Sequence, residues 1–337
     1  MKMRMISLCF VTLVALLTVG CDRHIPDYKR KLAVDLGPAP ELVFDRYEDV
    51  LFNMDTGRFQ QELIEAQQEY KPFLEGDLSD PEAVRYLRDF ATDPLCLSLY
   101  QKVKETYPKL DGVRAIVTDV YRHFNHYYPE IQLPNHVYTC VSGVDPDSPS
   151  VMFFEGSLVI SLDWYLDRDE LYDRIGMPRY RSERTSLASL AKDLGRQLYV
   201  TYVKQWHKQT NLLEEMVSMG REDYFIEAMC PSISEEVLLG YTADQIKWAD
   251  DNEGNLWADM VERQLLYSTE LEVFRVFLSD GPFTNEYSHE APPRLGEYVG
   301  LHVVRSYMGS HDISLRELLK HNDLQEIFQE SDRKSTR

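Results

Sequence analysis

Hydrophobic positions repeat with helical spacing through the first part of the chain. Three apolar stripes have side chains three or four positions apart: Phe59, Leu63, Ala66 and Tyr70; Leu95, Leu99 and Val103; and Val113, Val117, Val120 and Phe124. Spacing of this kind is typical of amphipathic helices that turn one face to a core. The pattern therefore predicts a helical first part over residues 44–128.

The spacing changes at residues 136–163, where residue types alternate. Residues 136–144 and 157–163 are rich in β-branched side chains, and residues 151–154 lie between them. Turn-forming residues, among them Gly156, separate the runs. Alternation with a period of two, broken by short turns, is typical of neighbouring strands. We expect a small antiparallel sheet here.

Helical spacing returns over residues 182–328. Asn211 and Glu214 have the spacing of a capping box, in which two side chains bind amide hydrogens that the first turn of a helix leaves unpaired. Thr242 and Gln245 repeat this spacing. The sequence therefore predicts helix starts at both places.

Two further details predict how this helical part is arranged. Asn252 is a residue type that favours helix starts, so we expect a new helical turn there, before Trp257. Gly296 and Gly300 lie four positions apart on one helical face. Because they carry no side chain, we expect the backbone of another helix to approach this face closely.

The composition is compatible with one large folded domain. With 44% hydrophobic residues, the 337-residue chain can bury a sizeable core. Helices, a sheet and further helices predict a mainly helical α+β domain over residues 41–330, followed by a polar tail at residues 331–337. The formal net charge of −20 repels nucleic-acid phosphates, so we expect no nucleic-acid partner.

The first 20 residues have the order of an export signal. Lys2 and Arg4 precede an apolar run, residues 5–17, which is too short to span a membrane. Cys21 follows, preceded by a small residue as in a bacterial lipobox. We expect residues 1–20 to be removed and Cys21 to be acylated, so that an N-terminal lipid anchors the chain. The alternative is a cleaved signal next to an incidental cysteine.

Longer stretches of the second half resemble a known family. Five runs between residues 212 and 308 are similar, in order and spacing, to the GldB-type gliding-motility lipoproteins of the Bacteroidota: LLEEMVSMGREDYFIEAMCP, GYTADQIKW, NEGNLW, LLYSTE and PPRLGEYVGLHVVRSYM. The resemblance covers residues 45–330. It implies a link to gliding motility and type IX secretion, with envelope or motility proteins as partners.

The segment after Cys21 bears on location. Residues 21–40 are charged and then proline-bearing, without a regular period, which predicts a tether that holds the domain off the lipid. Asp22-Arg23-His24 lacks the run of acids that resembles a surface-export signal in Bacteroidota. We therefore expect a lipid anchor in the cell membrane or outer membrane and a domain that faces the periplasm.

The resemblance also bears on catalysis, because this family is distantly related to predicted zinc-dependent peptidases. Those relatives carry HExxH on a helix after the sheet, and a further glutamate in a run resembling E-G-x-A-D-Y-F. The corresponding run here is residues 219–225, MGREDYF, with Met219 at the ligand position, and residues 182–206 contain no histidine. The resemblance implies a zincin-like scaffold with no catalytic residues, metal or cofactor.

Three other groups could carry chemistry. His123 and His126 are three positions apart and His136 follows, which permits a metal site, although histidines at a helix end also complement the helix dipole. Residues 250–255 are acidic enough for calcium but lack the EF-hand order, and we interpret them as a cap between two helices. Ser142 lacks the surrounding G-x-S-x-G elbow of a serine nucleophile.

The remaining candidate functional residues are four carboxylates and one histidine. Asp163, Asp167, Asp169 and Glu170 follow the last predicted strand and could pair for acid–base work, but we interpret them as a solvated turn. His302 lies on an apolar stripe, where a satisfied core histidine is the commoner state.

The leading hypothesis is a non-catalytic cell-envelope lipoprotein that acts through protein contacts. One alternative is a metal-dependent hydrolase that builds an unusual site from His123, His126 and His136. Another is a carrier of a small envelope ligand, for which the 21 tyrosines offer amphipathic walls. An aromatic-lined cavity would favour the carrier, and a broad exposed apolar patch would favour partner binding.

Overall fold

The computed structural model describes residues 25–145, 148–205 and 210–331. The predicted signal at residues 1–20 and the predicted lipid site at Cys21 lie outside the described residues. The same is true of the polar tail from residue 332 onward.

The strands of the described part are β1 Val43–Arg46, β2 His136–Cys140, β3 Val151–Phe154 and β4 Ser157–Ser161. They form a four-stranded sheet in the order β1-β2-β4-β3. β1 and β4 each run parallel to β2, whereas β3 runs antiparallel to β4. The sheet of the described residues is therefore mixed, and the prediction of an antiparallel sheet is wrong for two of these pairings.

The mixed topology follows from the position of the β3–β4 hairpin. Glu155 and Gly156 both have positive φ, 48° and 71°, which is the backbone of a tight type I′ hairpin turn. Because β3 occupies the outer edge, β4 returns between β3 and β2 and runs in the same direction as β2. β1 adds to the other side of β2, so the predicted helical part over residues 44–128 starts instead with a strand.

The α-helices of the described residues are α1 Asp27–Arg30, α2 Tyr47–Leu51, α3 Phe59–Ala66, α4 Lys71–Leu74, α5 Pro81–Thr92, α6 Pro94–Thr106, α7 Asp111–Tyr127, α8 Glu170–Arg174, α9 Arg179–Ser182, α10 Ser189–Leu198, α11 Leu212–Met229, α12 Glu235–Leu239, α13 Ala243–Glu262, α14 Leu271–Leu278, α15 Leu295–Ser310, α16 Leu315–Lys320 and α17 Leu324–Glu330. A π-helical turn, Tyr199–Val203, extends α10. The predicted class, a mainly helical α+β domain, is confirmed.

The sheet separates two hydrophobic cores. Val137, Leu158 and Ile160 belong to the larger core, together with apolar side chains of α7, α10, α11 and α15. Tyr138 and Val159 belong to a smaller core with side chains of α2 to α5. Since successive residues of a strand point to opposite faces, apolar residues at neighbouring positions let β2 and β4 contact both cores.

Helices α11 and α15 cross with their backbones in contact. A Cβ atom on Gly300 would lie 1.8 Å from the carbonyl oxygen of Met216. A Cβ atom on Gly220 would lie 2.2 Å from the carbonyl group of Gly300. Only glycine fits at such distances, so the close approach predicted for the Gly296 and Gly300 face is confirmed.

The predicted helix starts at Asn211 and Thr242 are confirmed. The Asn211 side chain accepts the amide hydrogen of Glu214 at 3.0 Å. The carboxylate of Glu214 accepts the amide of Thr210, one residue before the position that a complete capping box would use. Thr242 and Gln245 form the complete box.

The segment before the sheet differs from the predicted tether at residues 21–40. Helix α1 packs against α15, and Leu32 is buried in the larger core. The hydroxyl of Tyr224 donates a hydrogen bond to the carbonyl of Tyr28 at 3.2 Å. Residues 27–32 are therefore part of the domain, because they cover surface of α11 and α15 that would otherwise be exposed.

Candidate functional site

The three histidines of the hydrolase hypothesis have separate local roles. Nδ1 of His123 lies 2.9 Å from the carbonyl oxygen of Asp119, in the preceding turn of α7. His126 is exposed. Nε2 of His136 lies 2.6 Å from a carboxylate oxygen of Asp45 on β1. Within the described ranges, no three His, Cys, Asp or Glu side chains are grouped as metal ligands.

The carboxylates after β4 hold backbone structure. Asp163 is fully buried, and it accepts hydrogen bonds from the amides of Ser142, at 3.0 Å, and Val144, at 2.9 Å. Burial raises the pKa of Asp163 to about 6, although these hydrogen bonds oppose the rise. Asp169 caps α8 by accepting the amide of Leu171 at 3.0 Å. The predicted solvated turn is therefore wrong for Asp163.

The remaining candidates of this region also have structural roles. The Ser142 hydroxyl donates to Asp163, with a shortest oxygen–oxygen distance of 3.2 Å. Asp167 has a left-handed backbone, φ 51°, and its amide donates to the carbonyl of Thr185. Glu170 lies in the first turn of α8, where a negative charge complements the helix dipole.

The acidic residues 250–255 lie inside α13. Asp250 accepts a hydrogen bond from the hydroxyl of Tyr298 at 2.8 Å. The side chain of Asn252 donates to the carbonyl of Trp248, one turn earlier, at 2.9 Å. Both the predicted cap between two helices and the predicted helical start at Asn252 are therefore wrong, because one helix runs through the segment.

His302 belongs to a group of buried and half-buried charges between α11, α12, α13 and α15. We call Glu227, Glu235, Glu253, His302 and Arg305 the closed cluster. Arg305 binds both carboxylate oxygens of Glu227, at 2.7 and 3.0 Å, and also binds Glu235. The ring nitrogens of His302 lie 3.4 Å from Glu235 and 3.4 Å from Glu253. The predicted core position of His302 is confirmed, and its partners are carboxylates.

A cleft with basic walls lies between α10, α12 and the start of α15. Its volume is ≈400 Å³, within the range of small-ligand pockets. Among the described residues, its charged lining has five cations and two anions: Arg181, Arg184, Lys192, Arg196 and Arg294, and Asp193 and Asp280. Trp164 and Tyr165 form an aromatic part of the wall. We call this the basic cleft.

Helix α10 supplies Lys192, Asp193 and Arg196 to the basic cleft. These three residues have the spacing of the two histidines and the glutamate of HExxH, and they lie on the third α-helix after the sheet. A protonated amine and a guanidinium have no lone pair to offer a metal. The prediction from sequence considered only whether histidines stand at these positions. It overlooked that charged residues have the same spacing.

Acidic residues of α11 and α15 lie behind the cations of α10. Arg196 pairs with Glu222 at 2.8 Å and lies 3.8 Å from Glu297. Burial raises the pKa of Asp223 well above its usual range, and the neighbouring Glu297 raises it further. Met219, at the ligand position of the resembling run, is half-buried one turn before Asp223. The run at residues 219–225 therefore contributes carboxylates that face arginine and lysine.

Arg294 enters the basic cleft from a constrained backbone. Its φ is 53°, in the left-handed region that non-glycine residues seldom adopt. The hydroxyl of Tyr241 donates to the carbonyl of Pro293 at 2.6 Å, next to this residue. The guanidinium pairs with Glu297 and lies 3.5 Å from Asp280. Such backbone outliers concentrate at functional sites.

Cations outnumber anions in the described lining of the basic cleft. Lys192 is 8% exposed, and its ammonium makes no hydrogen bond or direct ion pair within the described chain, although Glu297 and Asp223 attract it from farther away. Burial lowers the pKa of Lys192 to about 8 against that attraction. Nε1 of Trp164 is buried without a hydrogen-bond partner in the described residues, and Nε of Arg294 makes no hydrogen bond there but lies 3.5 Å from Asp280.

A larger hollow of ≈750 Å³ lies beside the turn after α13. Its charged lining within the described residues is Arg263 and Glu270, so no charges converge there. Three large apolar side chains in or next to this hollow are exposed: Val261, Tyr267 and Leu271. None of the helices in the described part of the chain has both the length and the apolarity needed to cross a membrane.

Comparison with known proteins identifies the family. Neither the curated proteins nor the solved structures include a significant match to the chain. One family model, described as gliding motility protein GldB, matches residues 29–335 and so includes every residue of the basic cleft and the closed cluster. Because that match covers most of the 337 residues, the chain belongs to the family of gliding motility protein GldB.

Proposed function

We propose that this gliding-motility-associated lipoprotein works in the cell envelope through contacts with other proteins and has no catalytic activity of its own. Family membership gives the link to motility and the lipoprotein class. Envelope or motility proteins are accordingly the partners that we infer.

The main support for a protein without catalytic activity is the pattern of charged residues on α10. A zinc site at HExxH spacing needs two neutral imidazoles as ligands and a carboxylate to activate water. Lys192 and Arg196 instead place cations at the two ligand positions, and a cation repels a metal ion. We infer a zincin-like frame whose former site has become an ion-pair network.

Exposed apolar surface supports protein contact. Val261, Tyr267 and Leu271 stand at the turn after α13, around a hollow that carries little charge. Large apolar side chains that remain accessible in one place are typical of protein-binding surfaces, where aromatic residues act as anchors. This surface supports the contact hypothesis more directly than either of the two alternatives.

We further propose that the chain is anchored through an acylated Cys21 and faces the periplasm. The supporting pattern is Lys2 and Arg4, the apolar run at residues 5–17, and the small residue before Cys21. Since residues 27–32 already pack on the domain, a lipid at Cys21 would hold the domain close to the membrane surface.

Deletion and complementation in the host bacterium test this function. A deletion strain should lose gliding and type IX secretion, and the wild-type chain should restore both. Cys21→Ala should leave the protein in the soluble fraction and fail to restore gliding. Normal gliding, secretion and envelope integrity in the deletion strain would contradict the proposal.

Metal analysis tests the non-catalytic part separately. The protein, purified in detergent and dialysed without chelator, should contain much less than one zinc per chain. Stoichiometric zinc in the wild-type protein would overturn the proposal, direct attention to His123, His126 and His136, and require a peptidase screen.

A further inference from the structure

We propose that the basic cleft binds an acidic segment of a partner protein, with a carboxylate of that segment held by Lys192, Arg184 and Arg294. The choice of a protein ligand rests on the function proposed above, while the anion-binding chemistry rests on the cleft itself.

The first argument is the surplus of donors. Lys192, Arg294 and Trp164 line one cavity. The Lys192 ammonium has no direct partner and Nε1 of Trp164 has no hydrogen-bond partner among the described residues, whereas Nε of Arg294 lies 3.5 Å from a carboxylate oxygen of Asp280. A buried polar group without a partner requires an explanation, since most such groups in native proteins are hydrogen-bonded. Guanidinium and ammonium donors that converge on one cavity match a carboxylate, whose two oxygens accept several hydrogen bonds.

The second argument is the arrangement of charge. Three acids near the cleft pair with its cations: Glu222 with Arg196, Glu297 with Arg294, and Asp280, in the lining itself, with Arg184. Oδ2 of Asp223 and Oε1 of Glu297 have no hydrogen-bond partner among the described residues. The surface that a ligand meets therefore has more positive than negative side chains, in a chain of net charge −20. An anionic segment is attracted to this site and repelled by most of the remaining surface.

The third argument concerns ligand size. A second hollow of ≈230 Å³ shares Arg184 and Gly240 with the basic cleft. Tyr180 and Tyr241 line this hollow, and the guanidinium of Arg184 lies 5.4 Å from the centre of the Tyr180 ring. Together the two hollows fit an extended ligand whose anionic group enters the cleft and whose body lies on the tyrosines. A peptide has this shape, and a single inorganic anion fills only the first hollow.

Isothermal titration calorimetry on the full chain in detergent at pH 7 tests the proposal. The probes are an acetylated and amidated hexaglutamate, the matching hexaglutamine, succinate and inorganic phosphate. We expect hexaglutamate to bind, and hexaglutamine to bind at least about tenfold more weakly, since one hydrogen bond to a charged group contributes that much or more. Succinate and phosphate should also bind more weakly than hexaglutamate.

Variants place the binding in the cleft. Arg184→Gln should weaken hexaglutamate binding about tenfold, and Lys192→Met should weaken it at least as much. Arg85→Gln is the matched control, because Arg85 is exposed on α5, forms an i,i+3 pair with Glu82 and makes the same change of charge. The control should bind as wild type does. Arg184→Gln, at a partly exposed side chain, keeps the test usable if Lys192→Met does not fold.

Two kinds of result would overturn the inference, one against the cleft as the site and one against a peptide as the ligand. If hexaglutamate does not bind, or if Arg85→Gln weakens it as much as Arg184→Gln does, the cleft is not the site. If succinate or phosphate binds as tightly as hexaglutamate and with the same dependence on Arg184, the site binds a small anion. The proposal of a peptide ligand is then wrong. Both are measured in vitro, so they are distinguishable from the deletion phenotype that tests the proposed function.

Discussion

The basic cleft and the closed cluster are two groups of charged side chains, and α12 and α15 border both of them. In the closed cluster, Arg305 and His302 are both surrounded by carboxylates, and Arg305 binds two of them directly. In the basic cleft, Lys192 lacks a direct partner in the described chain and lines an open cavity. The charges of the closed cluster therefore pair with one another, whereas the basic cleft has a cation that is available to a ligand.

This difference separates structural from functional use of buried charge. Taking a charge out of water is unfavourable unless a partner of opposite sign compensates it. Glu227 and Arg305 compensate each other and so join α11 to α15. Lys192 receives only longer-range attraction, and its lowered pKa is the physical sign of that deficit. An uncompensated cation beside a cavity is therefore a better guide to a ligand site than a buried ion pair is.

The largest expected effect comes from breaking the helix crossing between the two groups. Gly300 lies in α15 between Glu297, which is behind the cations of the cleft, and His302 of the closed cluster. Gly300→Ala places a Cβ atom 1.8 Å from the carbonyl oxygen of Met216, so α11 and α15 must separate. We expect a loss of about 5 kcal/mol or more in the free energy of unfolding, measured by urea denaturation.

Gly254→Ala is the control for that change. Gly254 lies within α13, and a Cβ atom there meets nothing within 4 Å. Since alanine favours a helix more than glycine does, this variant should gain about 0.5–1 kcal/mol. Equal stability of the two variants would mean that the helices do not cross at Gly300 as described.

The second effect comes from removing the central cation of the closed cluster. Arg305→Met leaves Glu227 buried next to an apolar side chain. Removing one partner of a buried ion pair costs about 3–5 kcal/mol, because the remaining charge is uncompensated. Urea denaturation at pH 7 measures the loss, and a change below about 1 kcal/mol would show that the cluster is solvated rather than closed.

The third effect is the matching change in the basic cleft. Lys192→Met removes a cation without a direct partner, so we expect the free energy of unfolding to change by about 1 kcal/mol or less. Hexaglutamate binding should be lost at the same time. A destabilisation as large as that of Arg305→Met would contradict the comparison and assign Lys192 a structural role.

The smallest expected effect is that His302 and Lys192 change the free energy of unfolding with pH in opposite directions. Burial would lower the pKa of His302, but hydrogen bonds with Glu235 and Glu253 outweigh it and raise this pKa. His302 therefore stabilises the fold below its unfolded pKa of about 6.5, and this contribution is lost as pH rises through the folded pKa. Lys192 has the opposite sign: its folded pKa of about 8 lies below the unfolded value, so its contribution rises with pH above about 8.

Two variants measure how the free energy of unfolding changes with pH. Glu297 on α15, Asp223 on α11, and Arg196 and Arg294 beside them face Lys192 and set its titration. Relative to wild type, the stability of His302→Phe should improve as pH rises from 6 to 8, and that of Lys192→Met should decline as pH rises from 8 to 10. Slopes of the same sign for both variants would show that the two groups do not differ as described.

Much of the helical architecture could be predicted from local sequence. The caps at Asn211 and Thr242 and the close approach at Gly300 are confirmed, because each depends on residue types within one or two helical turns. Asn252 was predicted wrongly for the same reason. It is a residue that favours helix starts, but the packing of α13 carries the helix through it.

The candidate site was predicted less well than the helices. The sequence pointed to the correct helix, α10, and to the run at residues 219–225, but only as places where a metal site is degenerate. The cationic lining depends on Arg184, Lys192 and Arg294, which are more than 100 positions apart at the extremes. Their convergence, and the lack of an acceptor for Lys192, are properties of packing that no local pattern contains.

The sequence by itself determined the family, the mainly helical α+β class and the helix faces, because long matched runs, periodicity and caps are local properties of the chain. Only the tertiary structure decided the mixed pairing of the sheet, the packing of residues 27–32 on α15, and which buried charges are compensated. Each of these depends on contacts between distant residues, whose free energy is realised only when the helices and strands pack together.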